Sequence, residues 1–262
     1  MLFSRACAVL ALASAVVAAP HKKVENRWWS DGSRNRPWWS PSASSSYLDF
    51  GRRTPGAGSN APSCALSNAQ MPTAPTSLPS PATGLALHHV AIGRGTQNYT
   101  CDLSNSTAIP VAIGANATLF NVSCIAADQP ELLSKLPEIA LNLPIPDTTD
   151  TNSPAYLDMS GHHFFTNLTT AYFDLDTSTN SYGQGAFKKV NSTNAPVDAM
   201  AGQDGQGNGA VAWLKLNTID GKGEILQEVY RLNTAGGMQP KTCAGMAAEF
   251  EVEYAAEYWI WS

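Results

Sequence analysis

Two adjacent pairs of histidines are the residues of this sequence best suited to acid–base or metal chemistry. They are His88–His89 and His162–His163, and neighbouring residues of a β-strand point to opposite faces. One ring from each pair would therefore have to meet a carboxylate, such as Asp158 or Glu257, to form a metal or acid–base site. Separate structural roles for the histidines are the alternative, and we favour it.

A second polar group lies in the segment VYRLNTAGG, residues 229–237. Arg231, Asn233 and Thr234 could line a pocket, or their side chains could satisfy backbone groups of a glycine-containing turn. We favour the turn. A second glycine-rich region, 202–209, carries Asp204 but no lysine and is also interpreted as a loop.

The pair Gly93 and Gly95 resembles a nucleotide-binding turn, but its context excludes that function. Asn98 stands where a Rossmann fingerprint has its third glycine, and the Tyr-Thr-Cys that follows favours a strand over a helix. No nucleotide cofactor is expected. The two glycines instead predict a tight hairpin or a bulge. We favour the hairpin, with a strand at 85–92 entering it and a strand at 96–102 returning.

Export is predicted from the first residues and from glycosylation motifs. Arg5, an apolar run over 6–17 and small residues before a cut after Ala18 are typical of a secretory signal peptide, 1–18. No later apolar stretch approaches the roughly 20 residues of a membrane-spanning helix. Six N-glycosylation sequons follow. They lie at Asn98, Asn105, Asn116, Asn121, Asn167 and Asn191.

Four cysteines remain after the signal peptide, which suggests two disulfides in an exported chain. They are Cys64, Cys101, Cys124 and Cys243, and the sequence alone allows three connectivities. The short Cys-x-x-Cys spacing of a zinc site does not occur among them, so no bound metal is expected.

Charge divides the chain near residue 60. Residues 20–60 hold seven Lys or Arg and three acidic residues, whereas 61–262 hold eight and eighteen. An acidic body argues against nucleic-acid binding. The tail, 19–60, has little aliphatic content and is predicted to be disordered. Its Trp pairs, 28–29 and 38–39, suggest stacking on sugars, headgroups or a partner; alternatively the tail is a prosegment cut after Arg53.

The body reads as short strands between turn residues, after a Pro-rich lead-in at 61–84. One convincing helix begins at Asp128, where Pro130 and Glu131 precede a leucine-rich run. This pattern predicts a single antiparallel β-sandwich or barrel domain over 85–262, mainly β with one short helix. Strand-like runs lie at 85–92, 96–102, 118–124, 169–175, 210–217, 224–232 and 249–261.

Alternation assigns faces in two of these strands. A glycan on Asn98 must face solvent, so Gln97, Tyr99 and Cys101 should point inward. In the last strand the even-numbered residues 250–260 are apolar or aromatic and should point inward. Glu249, Glu251, Glu253 and Glu257 form the opposite face, which we expect to be solvated.

Several motifs together resemble a family of uncharacterised secreted fungal proteins, with bacterial relatives, defined only as a domain of unknown function. They are HHVAIGRGTQNYTC, PVAIGANATLFNVSC, GHHFF, AVAWLKL, VYRLNTAGG and YAAEYWIW, and the resemblance covers about 62–262. Such proteins are often labelled malate dehydrogenase. The missing Rossmann fingerprint, the signal peptide and the sequons do not support that label.

The resemblance carries no established activity, but it places a set of polar and aromatic residues in the family's motifs. With His162, they form our candidate pocket: Gln97, Tyr99, His162, His163, Trp213, Arg231, Asn233 and Tyr258. Because Cys101 should face inward beside Tyr99, and Cys243 follows the Asn-Thr-Ala-Gly-Gly turn, we favour Cys101–Cys243 and Cys64–Cys124 as the disulfides.

Two functions follow as hypotheses. The first is a secreted or wall-associated glycoprotein that binds a cell-wall polysaccharide or another extracellular surface without catalysis. The second is an extracellular hydrolase or metal-dependent enzyme whose pocket joins His162 or His163 to Tyr99, Arg231 and a carboxylate.

Overall fold

The computed structural model describes residues 64–223 and 225–262, and their strands form a closed antiparallel barrel in sequence order. The sequence predicted either a sandwich or a barrel, and the structure is a barrel. Neighbouring strands pair in sequence order, and β8 pairs with β1 to close the sheet. The strands are β1 (Leu87–Thr100), β2 (Val111–Asn121), β3 (Met159–Asn167), β4 (Thr170–Asp176), β5 (Ser181–Thr193), β6 (Trp213–Gly223), β7 (Glu228–Gly236) and β8 (Glu249–Trp261).

The hairpin predicted at Gly93 and Gly95 was wrong, because β1 runs through both residues as one strand. These glycines allow close packing instead of a turn. A Cβ on Gly93 would lie 2.4 Å from the Tyr258 ring, and one on Gly95 would lie 1.9 Å from the backbone oxygen of Asn116. The barrel interior therefore requires glycine at both positions.

Apolar side chains from all eight strands fill much of the barrel interior. Strands β4, β5 and β8 contribute large ones, including Phe173, Phe187 and Ile260, each fully buried. Small residues of β2, such as Ala115 and Ala117, face them. Alternating large and small side chains is the usual way in which a small barrel is packed.

Among the described residues, four short α-helices replace the single predicted one. They are α1 (Ser123–Asp128), α2 (Pro130–Leu133), α3 (Leu136–Asn142) and α4 (Pro154–Asp158). The predicted start at Asp128 is in fact the end of α1. Proline lacks an N–H and is tolerated in a first turn, so Pro130, Pro137 and Pro154 each lie at the start of a helix instead of inside a longer one.

The end of α3 is held to the outside of the barrel by Arg94 of β1. Its guanidinium donates to the carbonyl oxygens of Ala140, Leu141 and Leu143 at 2.9, 3.3 and 3.1 Å, and it also pairs with Glu253. The last carbonyls of a helix have no partner within the helix, so a cation is favourable there.

The Pro-rich lead-in packs on the same outer side as the first three helices. Tyr230 donates to the carbonyl of Pro79 at 2.8 Å, and Lys215 donates to that of Ser80 at 2.8 Å. A second apolar cluster, which includes Trp213 and Trp259, lies between the barrel and this layer. The lead-in is thus an integral part of the folded body.

Two disulfides are formed, with the pairing expected from the sequence. Cys64–Cys124 joins the lead-in to α1, and Cys101–Cys243 joins the end of β1 to the segment before β8. The signal peptide, the tail, its Trp pairs and the Arg53 cut all concern residues outside those that the structure describes.

The acidic outer face of β8 is not uniformly solvated, which corrects the expectation for Glu257. Glu249 and Glu251 are exposed, whereas Glu257 is completely buried beneath the helical layer. Alternation predicted which way Glu257 points, but it could not show that helices cover that part of the strand.

Candidate functional site

Six polar or aromatic side chains meet inside the barrel, and we refer to them as the interior polar cluster. All six are at least nine-tenths buried. Five belong to the pocket proposed from the sequence. Tyr254 was missed, although it lies on the same face of β8 as Tyr258. The cluster consists of Gln97, Tyr99, His163, Arg231, Tyr254 and Tyr258.

The register of β1 explains why Gln97 and Tyr99 enter the cluster. Both point inward, as expected, while Asn98 and Thr100 between and after them are partly exposed. The Tyr99 hydroxyl donates to the carbonyl of Gly237 at 2.7 Å, and its ring stacks on Phe250 with centroids 5.5 Å apart. Burial raises the pKa of Tyr99 to about 12, although the positive charge of Arg231 acts to lower it. The phenol therefore stays protonated.

Tyr254 and Tyr258 follow one another on the inward face of β8. Their hydroxyl oxygens are 2.8 Å apart, so one donates to the other. Burial raises the pKa of both phenols, and the charge of Arg231 partly offsets that effect. Both groups therefore act as neutral hydrogen-bonding partners.

Arg231 brings a positive charge into this interior from β7. Its carbon Cζ lies 6.0 Å from the centre of the Tyr254 ring, and one terminal nitrogen donates to the carbonyl of Ala212 at 3.0 Å. The Nε atom has no hydrogen-bond partner. The two ion pairs among the described residues involve Arg94 and Lys215, so within this part of the chain Arg231 has no carboxylate partner.

A second buried donor without a hydrogen-bond partner belongs to a side chain that, like Arg231, lies against Tyr254. The amide nitrogen of Gln97 is buried and makes no hydrogen bond, although the same side chain interacts with the Tyr254 hydroxyl. Buried polar groups are almost always paired in folded proteins, so two such donors beside the same tyrosine mark a place where an acceptor would be stabilised. A buried cation adds a preference for a negatively charged acceptor.

His163 fills one side of the cluster as a neutral ring. It stacks on Phe173 with centroids 4.3 Å apart and lies 5.7 Å from the Tyr258 ring. Its Nδ1 atom is 3.0 Å from the carbonyl oxygen of Tyr172. Burial lowers the pKa of His163 to about 4, so the ring is uncharged at neutral pH.

Three residues of the proposed pocket lie outside the barrel interior. His162 is on the outer face of β3, opposite Thr118 and Asp174. Trp213 packs in the outer apolar cluster. Asn233 has a positive φ of 44° and donates to the carbonyl of Ser134 at 2.8 Å and to Glu257 at 2.7 Å, so it connects β7 to the helical layer.

The carboxylates considered as partners for the histidines lie elsewhere. Asp158 is exposed at the end of α4, and Glu257 points out of the barrel, where Trp259 donates to it at 2.9 Å. Burial raises the pKa of Glu257 to about 7, against the hydrogen bonds from Asn233 and Trp259. An acid–base pair of His163 with either carboxylate is therefore not formed.

A serine–histidine contact, which sequence reasoning did not single out, lies away from the interior polar cluster. The Nε2 atom of His89 is 3.0 Å from the hydroxyl of Ser160, and Nδ1 is 3.3 Å from that of Ser123. This spacing would suit a nucleophile and its base. However, Ser160 is completely buried, Tyr182 stacks on the imidazole at 4.4 Å, and burial lowers the pKa of His89 to about 4. These features indicate a structural role.

The residues at one end of the interior polar cluster are less buried than the cluster itself. Inward residues at the same end of the barrel, Phe165, Phe250 and Val252, are only partly buried. Beside this end, a surface cavity of about 260 Å³ is lined by Ala210, Ala212 and Met238, among others. Ala212 is the residue whose carbonyl accepts from Arg231.

The part of the chain that the structure describes contains no group of three or more His, Cys, Asp or Glu side chains placed to hold a metal ion. None of the helices in this part of the chain has the length and hydrophobicity to span a bilayer.

Fold and site together define an eight-stranded antiparallel barrel whose interior holds a buried arginine among tyrosines. The chain belongs to the DUF3455 family, described as proteins of unknown function, whose model matches residues 81–262. The match begins at Pro81, so most of the lead-in that the resemblance included falls outside it. No curated protein and no solved structure matches the chain.

Proposed function

We propose that this protein is a secreted, N-glycosylated binding protein of the fungal cell wall. Its partner is a wall polysaccharide that carries carboxylate groups, and Arg231 provides the charge that recognises them. The observation that carries the proposal is the buried guanidinium of Arg231 without a carboxylate partner among the described residues.

The surface of the barrel suits glycosylation. Five of the six sequon asparagines are exposed, and Asn98 is partly exposed. In two of the sequons the side-chain oxygen of the asparagine accepts from the hydroxyl of the sequon threonine, at 2.8 Å for Asn105 and 3.1 Å for Asn167. These bonds use the oxygen and leave the amide nitrogen, which would carry the glycan, outside them. The two disulfides also support export, because disulfides form and persist in oxidising compartments.

The interior polar cluster favours an anionic group over a neutral one. Arg231 presents Nε, Gln97 presents Nε2, and the phenols of Tyr99, Tyr254 and Tyr258 stay protonated. Guanidinium and amide donors match the two oxygens of a carboxylate. A negative ligand would also compensate the buried charge, which is otherwise costly.

Export and glycosylation are tested by expressing the full chain in a secreting eukaryotic host. We expect the protein in the medium, with a mass that falls when an amidase removes N-glycans. A chain retained inside the cell and unchanged by the amidase would contradict this half of the proposal.

Binding is tested by co-sedimentation of the secreted protein with an insoluble uronate polymer, and with chitin and a neutral glucan for comparison. We expect retention on the uronate polymer that weakens as salt is added. Replacing Arg231 with Met should weaken retention by about 30-fold or more, as expected when one partner of a buried charge pair is removed. Lys189→Met removes an exposed charge on β5 and should leave retention unchanged.

The binding half fails if the uronate polymer retains the protein no better than the neutral glucan. It also fails if Arg231→Met, shown to be folded by its thermal unfolding, binds as the wild type does.

A further inference from the structure

An aromatic pair, of which one ring is exposed and the other partly buried, lies directly beside one of the sequons on the outer face of the barrel. Asn116 of β2 is the cross-strand partner of Phe164 on β3, and Phe164 is the partner of Tyr172 on β4. The two rings are 5.3 Å apart between centroids. Asn116 is exposed, and Phe164 remains 36% exposed.

The geometry of the sheet brings the Asn116 side chain within reach of the Phe164 ring. Directly opposed residues on one face of an antiparallel pair have Cβ atoms about 4.5–5.5 Å apart, and both side chains stand roughly perpendicular to the sheet. A sugar attached to the Asn116 amide would therefore begin at the edge of the aromatic pair. The next sheet position beyond Tyr172 is Ala186, so the surface on that side is not raised by a bulky side chain.

The chemistry of the two groups is complementary. The first residue of an N-glycan is N-acetylglucosamine, whose pyranose ring has a face of C–H groups and whose acetamide carries a methyl group. An aromatic face carries partial negative charge and attracts such C–H groups, while contact removes apolar surface from water.

We propose that the glycan on Asn116 packs on the aromatic pair Phe164 and Tyr172 and covers it, as a built-in part of the folded protein. This inference rests on the proposed function, since it requires export and N-glycosylation. The glycan would cover an aromatic surface that, left bare, favours association.

Asn191 provides a matched comparison. It is an exposed sequon on β5 of the same barrel, but its cross-strand partner is Lys215. A glycan there would begin beside Lys215 and not beside an aromatic ring. The effect of its removal on stability should therefore not depend on Phe164.

The test is a double-mutant cycle on the secreted, glycosylated protein, with occupancy of each sequon measured by glycopeptide mass spectrometry. The variants are Asn116→Gln, Phe164→Leu and their combination, and the control cycle replaces Asn116→Gln with Asn191→Gln. Leucine keeps an apolar side chain on the strand while it removes the ring. If the stability of Phe164→Leu cannot be distinguished from that of the wild type, Phe164→Ala takes its place in the cycle.

We expect Phe164→Leu to lower the folding equilibrium constant about five-fold more when Asn116 carries its glycan than in the Asn116→Gln background, in line with aromatic pair energies. In the Asn191 cycle the two effects should multiply without coupling. NMR of the glycosylated protein should show acetamide methyl protons of one N-acetylglucosamine shifted upfield by the ring, and Phe164→Leu should abolish that shift.

The outcomes separate the two proposals. An occupied Asn116 with no coupling and no ring-current shift overturns this inference and leaves the secreted glycoprotein standing. An unoccupied Asn116 with glycans at the other sequons has the same result. Absence of glycan at all six sequons overturns both.

Discussion

The Nζ atom of Lys215 lies 3.0 Å from Oε2 of Glu228, and both side chains are more than nine-tenths buried between the barrel and the lead-in. Glu228 also accepts from the backbone N–H of Ala82 and from the Tyr230 hydroxyl, both at 3.3 Å. The pair thus joins β6, β7 and the lead-in through one buried set of hydrogen bonds.

Breaking this pair on one side should be more harmful than replacing both members. Lys215→Met leaves a buried carboxylate without its cation, so we expect a loss of about 3–5 kcal/mol in the free energy of unfolding. The double variant Lys215→Met, Glu228→Met removes both charges and should recover much of that loss. Urea unfolding of the two variants measures the difference. A double variant less stable than the single one would show that the ion pair is not the reason.

Glu257 should contribute more to the free energy of unfolding at mildly acidic pH than at alkaline pH. Its pKa of about 7 in the folded protein lies above the ordinary 4.5, so the folded state holds the proton more tightly than the unfolded chain. The resulting stabilisation is complete below pH 4.5 and is lost as the pH rises through 7. Its size is about 3 kcal/mol, from the width of that interval.

Glu257→Gln keeps the shape of the protonated side chain and should remove this dependence. The comparison is the difference in unfolding free energy between wild type and variant, measured by urea titration from pH 4.5 to 8. Glu251→Gln changes an exposed carboxylate of the same strand and is the control. If the wild type and Glu257→Gln differ by the same amount at every pH, the carboxyl does not titrate in this range.

Gly95→Ala should be among the most damaging substitutions in the barrel. The added Cβ would lie 1.9 Å from the carbonyl oxygen of Asn116 and 2.6 Å from the Cα of Ala117, and both atoms are backbone. Strand β2 would have to separate from β1, so we expect a loss of about 3 kcal/mol or more. Gly84→Ala, where a Cβ meets open space but φ is +95°, should cost only about 1 kcal/mol. Thermal unfolding compares them, and equal losses would rule out the steric explanation.

The same glycines show what the sequence could and could not reveal. A Gly-x-Gly in a β-rich segment fits a hairpin or a close approach, and only the pairing of Gly95 with Ala117 distinguishes them. Alternation sufficed for the inward Gln97 and Tyr99, because it depends on strand geometry alone. Strand β5 was missed because its second half, with Lys188, Lys189 and Asn191, is polar and exposed.

The sequence identified the polar segment that contributes to the candidate site, but not which of its side chains enter the barrel. Arg231 and Asn233 are two residues apart in one polar segment, yet the first points into the barrel and the second contacts Glu257 on its outside. The positive φ of Asn233 and a register shift between Leu232 and Ala235 break the simple alternation there. Neither feature is visible in the order of residue types.

His163 should limit the stability of the protein in acid. Its pKa of about 4 in the folded state lies below the ordinary 6.5, because burial disfavours the charged ring. The folded state therefore binds this proton less tightly than the unfolded chain. The contribution of neutral His163 to the free energy of unfolding is fully present above pH 6.5 and is lost as the pH falls through 4.

Replacing His163 with Phe keeps the stacking on Phe173 but leaves a side chain that cannot be protonated. We expect the acid unfolding midpoint of this variant, followed by circular dichroism, to lie at lower pH than that of the wild type. An unchanged or higher midpoint would show that protonation of His163 does not drive acid unfolding.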